Sequence, residues 1–395
     1  MPQTVSIALV GLGNVGRRVM QLLQEKEARI RERYDLAFRV AGAADSSGAA
    51  IAVAGGPRPA FGIPAKQEGL SVSELLRAKE AKQGVASLAR VGHPGMSARE
   101  MLEKIEFGAL LEMSPTNLRD GEPGLSAVEM AIERGAHVVL ANKGPLVLAY
   151  PKLVEAARKK HVRLAFSAAV AGGLPVVNIG RRDLVVARID KVEGILNGTT
   201  NFILTSMAEN GMSYADALKI AQQNGIAETD PTLDVEGYDA AVKLLILAHA
   251  ALDYHATLAD VDRTGITGVT MEDLARAKAQ GRVTKLLCVA ERDGERYNLS
   301  VKPVDLPPAH PMARLTAGQM GVIYHTDVNG EITAMENICL HMGGPLGEGV
   351  IEGGKVICPW HGWAYDPKTG EAGRGGAKVA VYPVRIENGD VLIEV

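Results

Sequence analysis

The sequence predicts an α/β protein that ends in a small all-β domain. Val5 to Val10 forms a short apolar strand that leads into a glycine-rich turn and a helical pattern, which is the beginning of a parallel α/β unit. Further buried strands alternate with helices through the first half of the chain. The residues after about 319 instead show short strands, turn residues and paired cysteines and histidines.

At 395 residues the chain is long enough for two or three domains with separate cores. We predict a doubly wound α/β domain over residues 1–147, an α+β domain over 148–318 and an all-β domain over 319–395. The segment 301–324 fits either the last strands of the second domain or the first strands of the third. The last boundary therefore lies between about 303 and 325.

Composition excludes several classes of protein. A net charge of -3 with 23% charged residues gives no overall field that would attract a polyanion, which argues against nucleic acid as a partner. The amino terminus enters a strand at once, and no apolar run reaches eighteen residues, so we expect a cytoplasmic protein without membrane spans. The three cysteines are too few for a disulfide framework, and Cys288 lies in an apolar strand where we expect it to be buried.

The turn after the first strand reads Gly-Leu-Gly-Asn-Val-Gly. Glycines at these spacings allow a tight turn and let a pyrophosphate approach the helix amino terminus, where unpaired N–H groups and the helix dipole favour an anion. In this strand-to-helix context the pattern predicts a dinucleotide-binding Rossmann domain, and the alternative is a tight turn without a ligand. The predicted cofactor-binding residues in the turn are Gly11, Gly13, Asn14, Val15 and Gly16.

The second strand ends at Asp45, where such folds present an acid to the ribose hydroxyls. Ser46 and Ser47 follow, with no arginine to meet a 2'-phosphate, so NAD is favoured over NADP. NADP stays open because Arg58 or Lys66 could supply a cation from the predicted surface excursion over Ala49–Glu68.

Two later strands also end in polar residues. One is followed by Ser114, Thr116 and Asn117, and the other leads to Lys143. Since ligands of open parallel sheets lie at the carboxyl ends of strands, we expect these residues near the nicotinamide and the substrate.

An acidic loop leads into an apolar helix between Ile226 and Lys243. Asp239 and Lys243 are four residues apart and share one helix face, where the carboxylate can orient the ammonium and keep it charged. The alternative is a capped helix start with a surface ion pair.

This stretch resembles the substrate-binding segment of homoserine dehydrogenases, with its Glu, Asp-Pro, Asp, Gly-x-Asp and Lys in the same order. The segments Asn-Lys-Gly-Pro at 142–145 and Asn-Gly-Thr-Thr-Asn at 197–201 match the same family. The resemblance implies hydride transfer between NAD(P) and an amino alcohol, with Lys243 and Lys143 exchanging the proton. It implies substrate binding by Glu228, Asp234, Asp239, Asn197, Thr199 and Thr200, although a helix N-cap at Thr199 or Thr200 explains part of the pattern.

The family also implies a homodimer and a monovalent cation held by backbone carbonyls, here with Ser167 in place of a common glutamate. The family's glycine- and alanine-rich closing loop and final helix are not recognisable in this chain. A related hydroxy acid or aldehyde is therefore an alternative substrate.

Two cysteine–histidine pairs occupy the carboxyl-terminal part instead. Cys339-Leu-His341 and Cys358-Pro-Trp-His361 are separated by sixteen residues, which is the spacing of a Rieske [2Fe-2S] centre. Two thiolates suit one iron and two neutral imidazoles the other. Tetrahedral zinc is the alternative for this ligand set.

The same region resembles ferredoxin-type Rieske domains, with an Asn-Gly hairpin predicted over 321–335 and another hairpin over 381–395. Trp363 stands where high-potential members have a hydroxyl-bearing residue, so the resemblance implies a lower potential. A second functional hypothesis follows: an electron-transfer or redox-sensing protein with an external redox partner, whose dehydrogenase part only binds nucleotide or acts on a related substrate.

Overall fold

The computed structural model describes residues 2–52, 69–185, 187–327, 334–373, 376–382, 384–387 and 390–393. Most of the predicted surface excursion over Ala49–Glu68 lies outside these residues. The chain divides into two compact units, Met1–Asp183 with Lys191–Tyr324, and Leu184–Asp190 with His325–Val395.

The first part of the larger unit alternates strands and helices. Its elements are β1 (Gln3–Val10), α1 (Asn14–Glu25), α2 (Glu27–Tyr34), β2 (Leu36–Asp45), β3 (Gly48–Ile51), α3 (Val72–Glu80), β4 (Gly92–Pro94), α4 (Ala98–Lys104), β5 (Ala109–Glu112), α5 (Gly124–Glu133), β6 (His137–Leu140), α6 (Gly144–Lys159) and β7 (Leu164–Ala165).

These seven strands form one sheet in the order β4-β3-β2-β1-β5-β6-β7. The strands from β2 to β7 in that order run parallel, while β3 and β4 add an antiparallel edge. The chain leaves β1 toward one edge and returns to β5 on its other side, so the crevice for a ligand lies between the carboxyl ends of β1 and β5. The predicted doubly wound fold is confirmed.

The helical pattern after the glycine turn forms two helices, α1 and α2. Lys26 has φ -109° and ψ 2°, which ends α1 and starts α2. The sequence does not show this break, because the residues on both sides of Lys26 keep helical periodicity.

The second part of the larger unit is an α+β layer. Its elements are α7 (Val176–Asn178), β8 (Ile189–Ile195), α8 (Gly198–Asn210), α9 (Tyr214–Gln223), α10 (Thr232–Val235), α11 (Tyr238–Ala251), β9 (Val261–Arg263), α12 (Met271–Ala279), β10 (Val283–Asp293), β11 (Arg296–Leu306) and β12 (Gly321–Thr326).

The five strands of this layer are ordered β12-β8-β10-β11-β9, and the long antiparallel pair of β10 and β11 forms its centre. Helix α11 buries Leu244, Leu245 and Leu247, so it is apolar on most of its faces and packs on several elements at once. Cys288 of β10 is buried as predicted, and burial raises the pKa of its thiol to about 12.

The smaller unit contains short strands: β13 (Ala334–Met335), β14 (Val350–Glu352), β15 (Lys355–Ile357), β16 (Ala364–Tyr365), β17 (Val381–Tyr382), β18 (Val384–Glu387) and β19 (Asp390–Ile393). They pair as β13-β17, β14-β15-β16 and β18-β19.

The last hairpin is confirmed by the antiparallel pairing of β18 with β19. The hairpin predicted over 321–335 is wrong for its described strands, because β12 joins β8 in the five-stranded sheet while β13 pairs with β17. Its Asn-Gly turn lies outside the described residues. In the described part of the chain, no helix has the length and apolar character needed to cross a bilayer.

One cation is buried within the α+β layer. Lys285 of β10 is 1% exposed, and its ammonium donates to Asn201 Oδ1 at 2.9 Å, Thr205 Oγ1 at 3.3 Å and the Leu315 carbonyl at 2.6 Å. These three neutral oxygens accept the N–H groups of the Lys285 ammonium, so its hydrogen bonds are made without a carboxylate. Burial lowers the pKa of Lys285 from 10.5 to about 8.

We expect this lysine to make the free energy of unfolding rise between pH 8 and pH 10.5. In that range the unfolded chain binds a proton at residue 285 that the folded chain has released. The folded state therefore becomes more stable relative to the unfolded state as pH rises. The gain reaches at most about 3 kcal/mol, since one pKa unit corresponds to about 1.4 kcal/mol. Urea unfolding across this range should show the rise in the wild type and not in Lys285→Met. Lys278, the exposed lysine of α12, provides the control, and Lys278→Met should show the same rise in unfolding free energy as the wild type. If the unfolding free energy depends on pH equally in all three proteins, Lys285 is not its cause.

Candidate active site and metal centre

The glycine turn is closely packed on one side and open on the other. Gly11 has φ +85°, and a Cβ there would lie 2.3 Å from the Ser114 nitrogen. A Cβ on Gly16 would lie 2.3 Å from the Gly11 carbonyl oxygen, whereas one on Gly13 would meet nothing within 4 Å. Gly13 is also the N-cap of the twelve-residue helix α1, and no side chain caps the helix there, which suits a pyrophosphate at its first N–H groups.

The flanking residues of the turn point outward. Val15 is 52% exposed, and Asn14 accepts a hydrogen bond from the Arg17 guanidinium.

Asp45 ends β2 as predicted, but its carboxylate already has several partners. It accepts from Lys79 Nζ at 2.7 Å, from the Val85 N–H at 3.1 Å and from both the N–H and hydroxyl of Ser47. Burial alone would raise its pKa, and the hydrogen bonds from Lys79 and Ser47 bring the pKa below its ordinary value. The sequence left Arg58 or Lys66 open as a cation near Asp45, and the structure places Lys79 of α3 there.

The polar residues after β5 and β6 do meet at one edge of the sheet. The Asn142 amide donates to Ser114 Oγ at 3.2 Å, and the Lys143 N–H contacts Thr116 Oγ1 at 3.5 Å. Asn117 differs, because its amide donates to Asp120 Oδ1 at 2.6 Å and to the Glu122 carbonyl, and so shapes its own loop.

Asp239 lies between two ammonium groups. Its Oδ2 is 2.7 Å from Lys243 Nζ and its Oδ1 is 3.3 Å from Lys143 Nζ. Burial alone would raise the pKa of Asp239, but the two lysines, Lys243 foremost, lower it. Lys243 also donates to the Leu196 carbonyl at 2.7 Å, so two of its three protons are directed and the third can meet a substrate oxygen. The predicted pair is thus part of a partly buried triad rather than a surface ion pair.

Asn197 connects this triad to a second carboxylate. Its Nδ2 donates to Asp239 Oδ2 at 3.0 Å and to Asp234 Oδ1 at 2.7 Å, while its Oδ1 accepts the Thr200 N–H at 2.9 Å and caps α8. The N-cap is therefore Asn197 and not Thr199 or Thr200. Burial raises the pKa of Asp234, and the neighbouring Asp239 carboxylate adds to that rise.

The remaining predicted substrate residues differ in position. Thr199 donates to the Ile226 carbonyl at 3.0 Å, and Thr200 is fully buried with its hydroxyl on the Asn197 carbonyl. Glu228 is exposed, and its carbonyl accepts from Gln222. The Glu228 side chain is therefore exposed to solvent.

In the smaller unit the four predicted metal ligands form two pairs. Cys339 and Cys358 are buried, at 1% and 2% exposure, whereas His341 and His361 are exposed with ring centroids 4.7 Å apart. His341 also stacks on Trp363 at 4.9 Å with an interplanar angle of 9°.

This donor arrangement fits a two-iron cluster. Thiols on the inside suit one iron and imidazoles on the outside suit the other. The same four residues could also surround a tetrahedral zinc ion, which stays the alternative. Gly344 leaves room beside the thiols, since a Cβ there would lie 2.9 Å from Cys358 Sγ.

Sequence reasoning missed Tyr365. Its hydroxyl lies 3.3 Å from Cys339 Sγ and accepts the Leu340 N–H at 3.1 Å. Although burial acts in the opposite direction, this hydroxyl and the His341 N–H lower the pKa of the Cys339 thiol. Tyr365 lies two residues after Trp363 and brings a hydroxyl to the Cys339 thiol. Its place just after the second ligand pair was the available signal.

Comparison with known proteins gives two family matches. A homoserine dehydrogenase family model matches residues 175–338, and a Rieske [2Fe-2S] domain model matches residues 298–383. The two matches overlap over 298–338, which includes the segment that the sequence left open between two domains.

Individual relatives cover most of the chain. A homoserine dehydrogenase of Methanocaldococcus jannaschii is 34% identical over 84% of this chain and 92% of its own length. An NAD(+)-dependent homoserine dehydrogenase of Pseudomonas canavaninivorans is 33% identical over 83% of this chain and 89% of its own length. The crystal structure of a homoserine dehydrogenase from Thiobacillus denitrificans, 30% identical, aligns with a TM-score of 0.67 over 83% of this chain and 67% of that chain.

Proposed function

The chain belongs to the homoserine dehydrogenase family, and from this premise we propose that it interconverts L-homoserine and L-aspartate 4-semialdehyde with NAD(P). Its last domain carries a Rieske-type ligand set for a [2Fe-2S] cluster. The observation that carries the proposal is the Asp239 carboxylate between the ammonium groups of Lys143 and Lys243.

The triad suits the proton part of this reaction. The bound nicotinamide supplies or accepts the hydride. When the aldehyde is reduced, negative charge builds on its oxygen, and the Lys243 ammonium stabilises that charge and gives up a proton. In the oxidation the neutral amine takes the hydroxyl proton. Lys143 provides the second cation, and the Asp239 carboxylate pairs with the ammonium groups of both lysines.

The substrate's amino group is the natural partner of the carboxylates. Asp234 lies beside Asp239 and is oriented by Asn197, and Glu228 borders the site from its exposed loop. We therefore assign these carboxylates to the ammonium of the amino alcohol, with Thr199 and Thr200 positioning α8 beneath them.

We propose NAD as the preferred dinucleotide, held by Gly11, Gly13, Asn14, Val15 and Gly16. Asp45 neutralises the nearby Lys79, so a 2'-phosphate would meet no unpaired positive charge from this pair. The proposal extends to a carbonyl-held monovalent cation near Ser167, a homodimer, an external redox partner and a cytoplasmic location.

The cluster ligands favour a role separate from the hydride chemistry. A hydride carries two electrons and a two-iron cluster accepts one, and the usual mediator is a flavin, for which the sequence has no second dinucleotide motif. An electron-transfer or redox-sensing role of the whole chain is the second candidate, favoured by the exposed imidazoles of His341 and His361.

Replacing Lys243 tests the assignment of the proton donor. We expect Lys243→Ala to lower homoserine turnover by at least about 100-fold, the scale of lost acid–base help, with little change in the dissociation constant for NAD. Steady-state kinetics and NAD titration measure the two effects. Lys219→Ala, on the exposed face of α9, should behave as the wild type; near-normal turnover of Lys243→Ala would contradict the proposed mechanism.

Replacing Asp45 tests the dinucleotide preference. Asp45→Asn removes the charge that neutralises Lys79, so Lys79 becomes available to a 2'-phosphate. We expect the ratio of kcat/KM for NAD to that for NADP to fall by about tenfold or more, which corresponds to about 1.4 kcal/mol. An unchanged ratio would show that this pair does not face the ribose.

Adding NADH to the iron-loaded protein tests the separation of the two chemistries. Without flavin and without oxygen, we expect the cluster's visible absorption and electron paramagnetic resonance to show no reduction over seconds. Dithionite reduces the cluster in the control sample. Stoichiometric reduction by NADH within seconds would instead favour direct electron flow.

A further inference from the structure

A buried acid lies beneath the candidate active site. Glu112 is the last residue of β5 and is 0% exposed, with β1 on one side and β6 on the other. Its Oε2 has no hydrogen-bond partner among the described residues. Burial raises the pKa of Glu112 despite the hydrogen bonds that it accepts. A buried polar atom without a partner costs stability, so its retention calls for an explanation.

The other carboxyl oxygen begins a chain of hydrogen bonds. Oε1 accepts the Ser114 N–H at 2.9 Å and also the Ser114 hydroxyl. Ser114 Oγ accepts from Asn142 Nδ2 at 3.2 Å, and Asn142 Oδ1 accepts the Gly144 N–H at 2.9 Å. Lys143 is the residue between Asn142 and Gly144, so this chain fixes the backbone on both of its sides.

The direction of Lys143 matters because its ammonium is 3.3 Å from Asp239 Oδ1 on another helix. Lys143 precedes α6, and its side chain has four rotatable bonds, so small shifts of its backbone move the ammonium substantially. Misplacement of a catalytic group by about 1 Å can cost about 100-fold in rate.

We propose that Glu112 is a positioning residue, which acts as a hydrogen-bond acceptor for Ser114 and through Ser114 and Asn142 aligns Lys143 with Asp239 and the substrate. The proposal rests on the role given to Lys143 in the proposed function. It explains why a carboxyl group is kept at the buried end of β5: one of its oxygens takes both donors of Ser114, which no apolar residue can do.

Gly124, the first residue of α5, offers an independent approach to the same network. A Cβ on Gly124 would lie 2.5 Å from Asn142 Nδ2 and 3.1 Å from Glu112 Oε2. Gly124→Ala therefore displaces the hydrogen-bonded chain without removing any of its groups.

The experiment compares four variants of the full chain. We expect Glu112→Leu and Gly124→Ala to lower kcat for homoserine by about 10- to 100-fold with KM and NAD affinity within about threefold of wild type. Glu112→Gln retains an acceptor oxygen for Ser114 and should restore kcat to within about threefold of wild type. Glu193→Leu removes another buried glutamate, from β8, and should lower only the melting temperature.

A second readout does not depend on turnover. Acetylation of Lys143 by acetic anhydride, followed by peptide mass spectrometry, reports how firmly its ammonium is paired with Asp239. We expect faster acetylation in Glu112→Leu and Gly124→Ala than in the wild type and Glu112→Gln. If the wild type does not oxidise homoserine but the variants show these differences in acetylation rate, the proposed function is refuted and the alignment of Lys143 by Glu112 still stands.

Two results would overturn the inference. The first is that Glu112→Leu has the same kcat and the same acetylation rate as the wild type. If Glu112→Leu does not fold, the same result in Gly124→Ala counts. The other is an equal loss in Glu112→Gln and Glu112→Leu, since the acceptor geometry would then not be what matters.

Discussion

The structure of the larger unit depends on one carboxylate that is shared by two ammonium groups. Asp239 is largely removed from water, where a single charge is costly, and Lys143 and Lys243 approach it from different elements. Lys243 comes from the same helix, whereas Lys143 comes from the end of the dinucleotide-binding sheet. The two halves of this unit must therefore close on each other with enough accuracy to keep the charge paired.

Much of the surrounding structure serves the same requirement. The Asn197 amide gives Asp239 a further donor, and the Leu196 carbonyl takes a proton of Lys243. On the other side, the network below Lys143 fixes its backbone. Removing any one of these groups leaves a buried charge or dipole without its partner. The stability lost in this way is larger than the net stability that the intact pair contributes.

Local patterns in the sequence predicted the parts of this structure that local rules govern. The glycine turn, the ends of β2 and β5 and the buried cysteines next to exposed histidines are readable because spacing and residue type suffice to identify them. Contacts between distant segments are different. Lys79 reaches Asp45 across 34 residues, and β12 pairs with β8 rather than with the neighbouring β13, because long-range packing decides such choices. Tyr365 was missed because its hydroxyl reaches Cys339 only once the loops fold together.

Asn197 has a further consequence for anyone who wishes to redesign the pocket for another substrate. Its single side chain starts α8 and holds two carboxylates, so a library that varies this position would select for folding before it could select for specificity. Glu228 is the opposite case: it is exposed, and the helix caps and the buried charges do not depend on it. Under the role proposed for Glu228, diversity introduced there can be screened for new amino alcohols in a protein whose architecture is unchanged.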